Sequence, residues 1–111
     1  IVAWMKSNAQ ESLDHAHKAG EFVTLLGGHP SLQIGSLLET EKHDIGDILR
    51  ESLEHEKESL KAYYDLLEIA EEHGITILEE FARDMVVSEE QHLDEVNKML
   101  RRPGDTEVFT Q

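Results

Sequence analysis

The chain has 111 residues, which is enough for one domain with a modest hydrophobic core. It carries 24 acidic and 10 basic residues, and the resulting formal charge of -14 disfavours nucleic acid and anionic membranes as partners and favours cations. Because the sequence contains no cysteine, disulfides, zinc–thiolate sites and iron–sulfur clusters are excluded.

The first predicted helix covers about residues 1–26 and ends at Gly27, Gly28 and Pro30. Apolar residues at spacings of three and four predict one broad buried face. This face consists of Met5, Ala9, Ala16, Ala19, Val23 and Leu26, with Ile1, Trp4 and Phe22 beside it. Candidate ligands on or next to the face are Glu11, Ser12 and His15.

A connection over residues 28–43 precedes the second predicted helix, and it is too long for a tight turn between adjacent antiparallel helices. We therefore predict a long crossover, followed by a helix over residues 44–73. The apolar stripe of this helix consists of Ile45, Leu49, Leu53, Glu56, Leu60, Tyr63, Leu67 and Ala70. Glu56 thus interrupts an apolar seam, unless it lies at the edge and reaches solvent. Glu54 and His55 are rotated roughly 100 to 200° away and are weaker candidates.

The third predicted helix begins at residue 75 or 76 and ends near residue 100, after a helix stop at Gly74. Such a short gap predicts either two antiparallel neighbours or one kinked helix. The stripe of the third helix consists of Leu78, Ala82, Met85, Glu89, His92, Val96 and Met99. Burying an unpaired carboxylate costs several kcal/mol, so Glu89 and His92 need partners inside the fold.

Glu89 and His92 have the Glu-x-x-His spacing that lets a carboxylate and an imidazole bind one metal ion. Three alternatives remain for such a short motif: a solvated edge position for Glu89, a surface ion pair, or a core histidine with its hydrogen bonds satisfied. Glu56 and His15 on the other helices favour the metal site, because bound cations make buried charges tolerable. Many carboxylates with few imidazoles indicate iron or manganese over structural zinc.

Three segments of the chain resemble the ferritin-like superfamily, nearest to bacterioferritin: DHAHKAGEFVTLLGGHPSL, ILRESLEHE and FARDMVVSEEQHLDEVNKML. The resemblance extends over about residues 1–100 and covers the second to fourth helices of the family's bundle. It implies an all-α, up-down bundle with a long crossover, here three long helices with the first bundle helix missing. We expect one N-terminally incomplete ferritin-like domain over 1–111 with a C-terminal tail at 102–111, the fourth helix lying upstream or coming from another chain.

The resemblance also implies roles for individual residues. Glu56 takes the place of the bridging carboxylate of the third bundle helix, and Glu89 and His92 take that of the Glu-x-x-His on the fourth. His15 takes the place of the second-helix histidine. Glu56, Glu89 and His92 are therefore the predicted catalytic residues, and all four are predicted metal ligands.

Two departures from the family pattern affect these expectations. Ser12 stands where the family has a glutamate three residues before the histidine, so Glu11 is the predicted replacement ligand. The haem-ligating methionine of bacterioferritin would fall at Leu13, and the resemblance therefore gives no support for haem.

By resemblance we expect a ferroxidase that binds and oxidises Fe(II) at a di-iron centre and stores ferric mineral in a homo-oligomeric shell; manganese is the other candidate metal. One alternative is a di-metal oxidoreductase of the rubrerythrin or manganese-catalase sort that acts on peroxide. Another is a non-catalytic helical subunit with a degenerate site. No apolar run approaches the ~20 residues of a membrane span, and we expect a cytoplasmic protein without nucleic-acid or membrane partners.

Overall fold

The computed structural model describes residues 2–35 and 40–101. Over these residues the chain has three α-helices and no strand: α1 (Val2–Leu25), α2 (Ile45–His73) and α3 (Thr76–Leu100). The predicted all-α architecture with three long helices is confirmed. Among the described helices, none has the length and apolar character that crossing a membrane requires. The predicted tail at 102–111 lies outside the described residues.

The ends of α2 are fixed by local side-chain and backbone contacts. The Asp44 carboxylate accepts a hydrogen bond from the Gly46 N–H, which satisfies one of the free amides of the first turn. At the other end, Gly74 adopts a left-handed conformation with φ of 65°, and the Ile75 N–H bonds to the Ala70 carbonyl at 3.1 Å. The chain therefore reverses within two residues, and α2 and α3 are antiparallel neighbours rather than one kinked helix.

The α2–α3 pair contains the hydrophobic core of the described residues. Its buried apolar side chains are Leu49, Leu60, Ala70, Leu78, Phe81, Ala82, Met85, Val86, Leu93 and Val96. The predicted stripes are confirmed except at Ile45 and Met99, which are 58% and 41% exposed. Both lie at the end of the pair away from the Gly74 connection.

The chain divides into two compact units, Ile1–Gly35 with α1 and Ser36–Gln111 with α2 and α3. In the first unit, α1 ends one residue earlier than predicted. Gly27 has a φ of 87°, a conformation that glycine adopts without a steric penalty, and the Gly28 N–H bonds to the Val23 carbonyl at 2.9 Å. The glycine stop signal is therefore correct.

The predicted buried face of α1 is wrong, because no described residue of this helix is buried. Met5, Val23 and Leu26 of the predicted face are 36%, 39% and 57% exposed. The least exposed row of the helix is Trp4, Asn8, Glu11, His15, Ala19 and Phe22. This row is displaced by about one position, or roughly 100°, from the predicted one, and its ends carry the two bulkiest aromatic side chains of α1.

Candidate metal centre

Three candidate ligands come together at mid-length of the α2–α3 pair. Glu56 lies on α2, whereas Glu89 and His92 lie one turn apart on α3, all on the buried stripes. Similar lengths of helix separate Glu56 and His92 from the Gly74 connection, and the antiparallel packing therefore brings them to the same level. The spacing of the two apolar stripes places all three side chains in the seam between the helices.

The geometry of this cluster fits one cation. The His92 Nδ1 atom lies 3.6 Å from Glu56 Oε2 and 3.7 Å from Glu89 Oε2. One ligand atom from each residue lies within 4.8 Å of the others. Ligand atoms bind metals at about 2.0 to 2.3 Å, so two ligands of one ion lie about 3 to 4.5 Å apart. The observed spacing matches that range and exceeds normal hydrogen-bond lengths.

Burial of the cluster requires a partner for its charges. Glu56, Glu89 and His92 are only 9%, 6% and 7% exposed, so a solvated edge position for Glu56 or Glu89 is excluded. The buried Glu89 Oε2 atom has no hydrogen-bond partner. A buried acceptor without a partner costs about 1 to 3 kcal/mol, and more when it is charged. An unpaired carboxylate oxygen beside a second carboxylate and an imidazole fits the ligand set of a divalent iron or manganese ion.

The two carboxylates of the cluster have opposite pKa shifts. Burial raises the pKa of Glu89, and although His92 counteracts this effect, the neighbouring Glu56 adds to it, which leaves the pKa at about 7. Burial also tends to raise the pKa of Glu56, but contacts with His92 and Glu89 outweigh this effect and lower the pKa below its ordinary value of 4.5. A cation that binds here near neutral pH must therefore displace a proton from Glu89.

Tyr63 adjoins the cluster two turns after Glu56 on the same stripe of α2. Burial raises the pKa of its hydroxyl, and the negative charges of Glu89 and Glu56 raise it further. The ring packs edge-on against Phe81, with 6.3 Å between the ring centroids and an interplanar angle of 84°. In the sequence, Tyr63 lies on the predicted apolar stripe, and its i+7 spacing from Glu56 is the signal that indicates a neighbour of the site.

A second tyrosine links the two helices beside the cluster. The Tyr64 hydroxyl donates a hydrogen bond to Glu90 Oε1 across the α2–α3 seam, in a partly buried position. Tyr64 also packs against the core cluster of Leu60, Val86 and Leu93. Periodicity does not predict this contact, because both residues lie beside the stripes, where no periodic signal distinguishes a paired side chain from a solvated one.

On α1, Glu11 and His15 form a pair, with 3.8 Å between Glu11 Oε1 and His15 Nε2. They share the least exposed row of this helix, as their i,i+4 spacing predicts, whereas Ser12 is exposed. Glu54 and His55 on α2 are also exposed, in agreement with their rotation away from the stripe. Among the described residues, Glu56, Glu89 and His92 form the group of three side chains that could hold a metal ion. The ligand role of Glu11 and His15 stays a prediction.

A family model described as Ferritin-like domain matches residues 1–103, nearly the whole chain. No curated protein matches the chain. The family match agrees with the resemblance carried by the three sequence segments at the level of the superfamily.

Proposed function

The chain belongs to the ferritin-like domain family, and we propose that it is a ferroxidase that binds Fe(II), oxidises it and stores the ferric product. The observation that carries this proposal is the convergence of Glu56, Glu89 and His92 around a buried carboxylate oxygen that has no hydrogen-bond partner. A homo-oligomeric shell and a cytoplasmic location belong to the same proposal.

The cluster suits iron that changes charge during the reaction. Two Fe(II) ions lose one electron each, and one dioxygen molecule takes up these electrons with two protons to leave as hydrogen peroxide. The oxygen atoms of Glu56 and Glu89 are hard, charged donors, and they favour the ferric product over the ferrous substrate. His92 adds a neutral nitrogen donor to the two carboxylates, because its Nδ1 atom lies 3.6 and 3.7 Å from their oxygen atoms.

Proton release accompanies binding in this proposal. Glu89 has a pKa of about 7, so at neutral pH it holds a proton part of the time, and the entering cation must displace it. We therefore expect Fe(II) affinity to rise as the pH increases from 6 to 8 through about 7. The measurement is anaerobic titration with Fe(II) at several pH values, with proton release recorded in weakly buffered solution. Affinity that is constant across this range would contradict the assignment of Glu89.

The acidic composition of the chain supports the delivery of cations. A formal charge of -14 produces a negative potential that raises the local Fe(II) concentration around the protein. Because salt screens this potential over about 10 Å at 0.1 M, the rate of Fe(II) uptake should fall with ionic strength.

A two-ion centre needs more ligands than the three residues of the cluster. Glu11 and His15 are the further ligands that we propose, since they present a carboxylate and an imidazole on one row of α1. Their contribution is tested by the iron stoichiometry of a His15→Asn variant. A variant that binds as many ions per chain as the wild type would remove His15 from the ligand set.

The central test compares the oxidation of Fe(II) by wild-type protein and a Glu89→Gln variant. Fe(II) is added without oxygen, air is then admitted, and the ferric absorbance in the near ultraviolet is followed. Glu89→Gln keeps the size of the side chain but removes its charge, and we expect the rate to fall more than about tenfold. Glu58→Gln, which changes an exposed carboxylate of the same helix as Glu56, is the matched control.

Each outcome of this test is informative. An unchanged rate in Glu89→Gln would contradict the site, provided that Glu58→Gln also oxidises at the wild-type rate. Rapid peroxide consumption without ferric mineral would favour the peroxide-handling alternative. Wild-type protein that binds no Fe(II) would favour the non-catalytic subunit, and size-exclusion chromatography would show whether the protein forms the large assembly that storage requires.

A further inference from the structure

The hydrogen bond between Tyr64 and Glu90 lies one residue away from the cluster on α3. Glu90 directly follows Glu89, and Tyr64 is on α2, so the bond joins the two helices that supply the three ligands. The bond is partly buried, which protects it from competition with water. It therefore constrains α3 close to the point where the ligands converge.

The ligand cluster depends strongly on the rotation of α3 about its own axis. One residue corresponds to about 100° of rotation and 1.5 Å of rise, so a modest rotation would turn Glu89 and His92 away from Glu56. The packing of Tyr64 against the apolar core cluster is not directional, whereas a hydrogen bond requires a defined donor–acceptor geometry. The Tyr64–Glu90 bond is thus a directional contact that can fix this rotation beside the cluster.

We propose that Tyr64 and Glu90 are positioning residues, whose hydrogen bond holds α3 in the rotation at which Glu89 and His92 face Glu56 across the seam. The inference rests on the proposed function only in taking these three residues as metal ligands. Neither positioning residue needs to touch the ion. Their role is to set the ligand geometry before the ion arrives, which lowers the cost of ordering the site.

The test uses Co(II) alone as the probe, because its visible absorption reports the number and geometry of its ligands. Tyr64→Phe and Glu90→Ala remove the hydrogen bond, whereas Glu90→Gln keeps an acceptor oxygen for the Tyr64 hydroxyl. We expect the two disruptive variants to bind Co(II) about 10- to 100-fold more weakly, with altered absorption bands. Glu90→Gln should recover most of the affinity and the wild-type bands.

Glu71→Ala is the matched control, since it removes another polar contact between α2 and α3, the Glu71–Arg83 ion pair of 3.2 Å near the helix connection. It should leave Co(II) affinity and bands unchanged. Thermal unfolding of each metal-free variant accompanies the titrations, which are done well below the transition. A purely structural role of Tyr64 would lower the melting temperature and leave the Co(II) bands intact.

Two results would overturn the inference, and they are distinguishable. If Tyr64→Phe binds Co(II) with wild-type affinity and bands while Glu89→Gln does not, the positioning role is wrong and the metal site stands. If the wild-type protein binds no Co(II), both the positioning role and the proposed function are wrong. Wild-type Co(II) binding that Tyr64→Phe weakens, in a protein that oxidises no Fe(II), would support the positioning role and contradict the ferroxidase.

Discussion

Helix α1 and the α2–α3 pair differ in what their similar amphipathic sequences bury. Of the described residues of α1, none is buried, and its Glu11–His15 pair is partly exposed. The α2–α3 pair buries ten apolar side chains together with Glu56, Glu89 and His92. Periodicity therefore identifies a helix in both regions, but burial of its face depends on a partner. For α2 and α3 the two-residue connection at Gly74 provides that partner within the chain.

The largest effect that distinguishes the two regions should come from truncating apolar side chains. Leu93 on α3 is fully buried, and Leu93→Ala should cost about 2 to 5 kcal/mol of unfolding free energy, because it removes packed methyl groups and leaves a cavity. The measurement is urea-induced unfolding followed by circular dichroism. A loss below about 1 kcal/mol would contradict the description of this seam as the core.

The next effect concerns the buried carboxylates of the metal-free protein. Because the folded-state pKa of Glu89 is about 7, above its ordinary 4.5, the folded state retains this proton longer than the unfolded state. The contribution of Glu89 to the free energy of unfolding is thus fully present below pH 4.5 and is lost as the pH rises through about 7. Glu56 has a lowered pKa, so its contribution is present above pH 4.5 and is lost only below that value.

Glu89→Gln should abolish the loss of stability between pH 4.5 and 7, which we expect to amount to about 1 to 3 kcal/mol. Unfolding free energies at pH 5 and pH 7.5 for wild type, Glu89→Gln and the exposed control Glu58→Gln give the comparison. The control should retain the wild-type difference between the two pH values. An identical difference in Glu89→Gln would show that Glu89 is not the titrating group.

A smaller effect is expected at the connection that makes α2 and α3 neighbours. Gly74 has a φ of 65°, where a Cβ atom is unfavourable, and Gly74→Ala should cost about 1 to 2 kcal/mol. Gly35→Ala is a suitable control, because a Cβ atom there meets open space and the φ of Gly35 is not in the left-handed region. Equal stability of both variants in urea unfolding would argue against the left-handed cap.

The smallest effect should come from α1. Leu13 is 51% exposed, and Leu13→Ala should change the unfolding free energy by less than about 0.5 kcal/mol, in contrast to Leu93→Ala. The same urea experiment provides this value. A loss comparable to that of Leu93→Ala would mean that the face of α1 with Leu13 is covered in solution.

The sequence predicted the burial of Glu56, Glu89 and His92 well, because two independent stripes converge on these residues. Glu56 between Leu53 and Leu60, and Glu89 between Met85 and His92, each interrupt an apolar series, and both proved buried. A buried charge in a regular series is a strong signal, because the fold must compensate for it.

Periodicity in the sequence does not predict some other features of the structure. In α1 the alanines provide little contrast between faces, so the least exposed row, which includes Trp4 and His15, differs from the predicted one by one position. The Tyr64–Glu90 bond depends on how α2 and α3 are rotated relative to each other, and the residue pattern of a single helix does not carry this information.

The most direct test of the proposed metal site is anomalous diffraction at the iron edge from crystals of the protein soaked in Fe(II) without oxygen. We expect an anomalous peak in the α2–α3 seam, within bonding distance of a carboxylate oxygen of Glu56, of Glu89 Oε2 and of His92 Nδ1. Absence of a peak there in crystals that contain iron elsewhere, or side chains of these residues turned to solvent, would contradict this site.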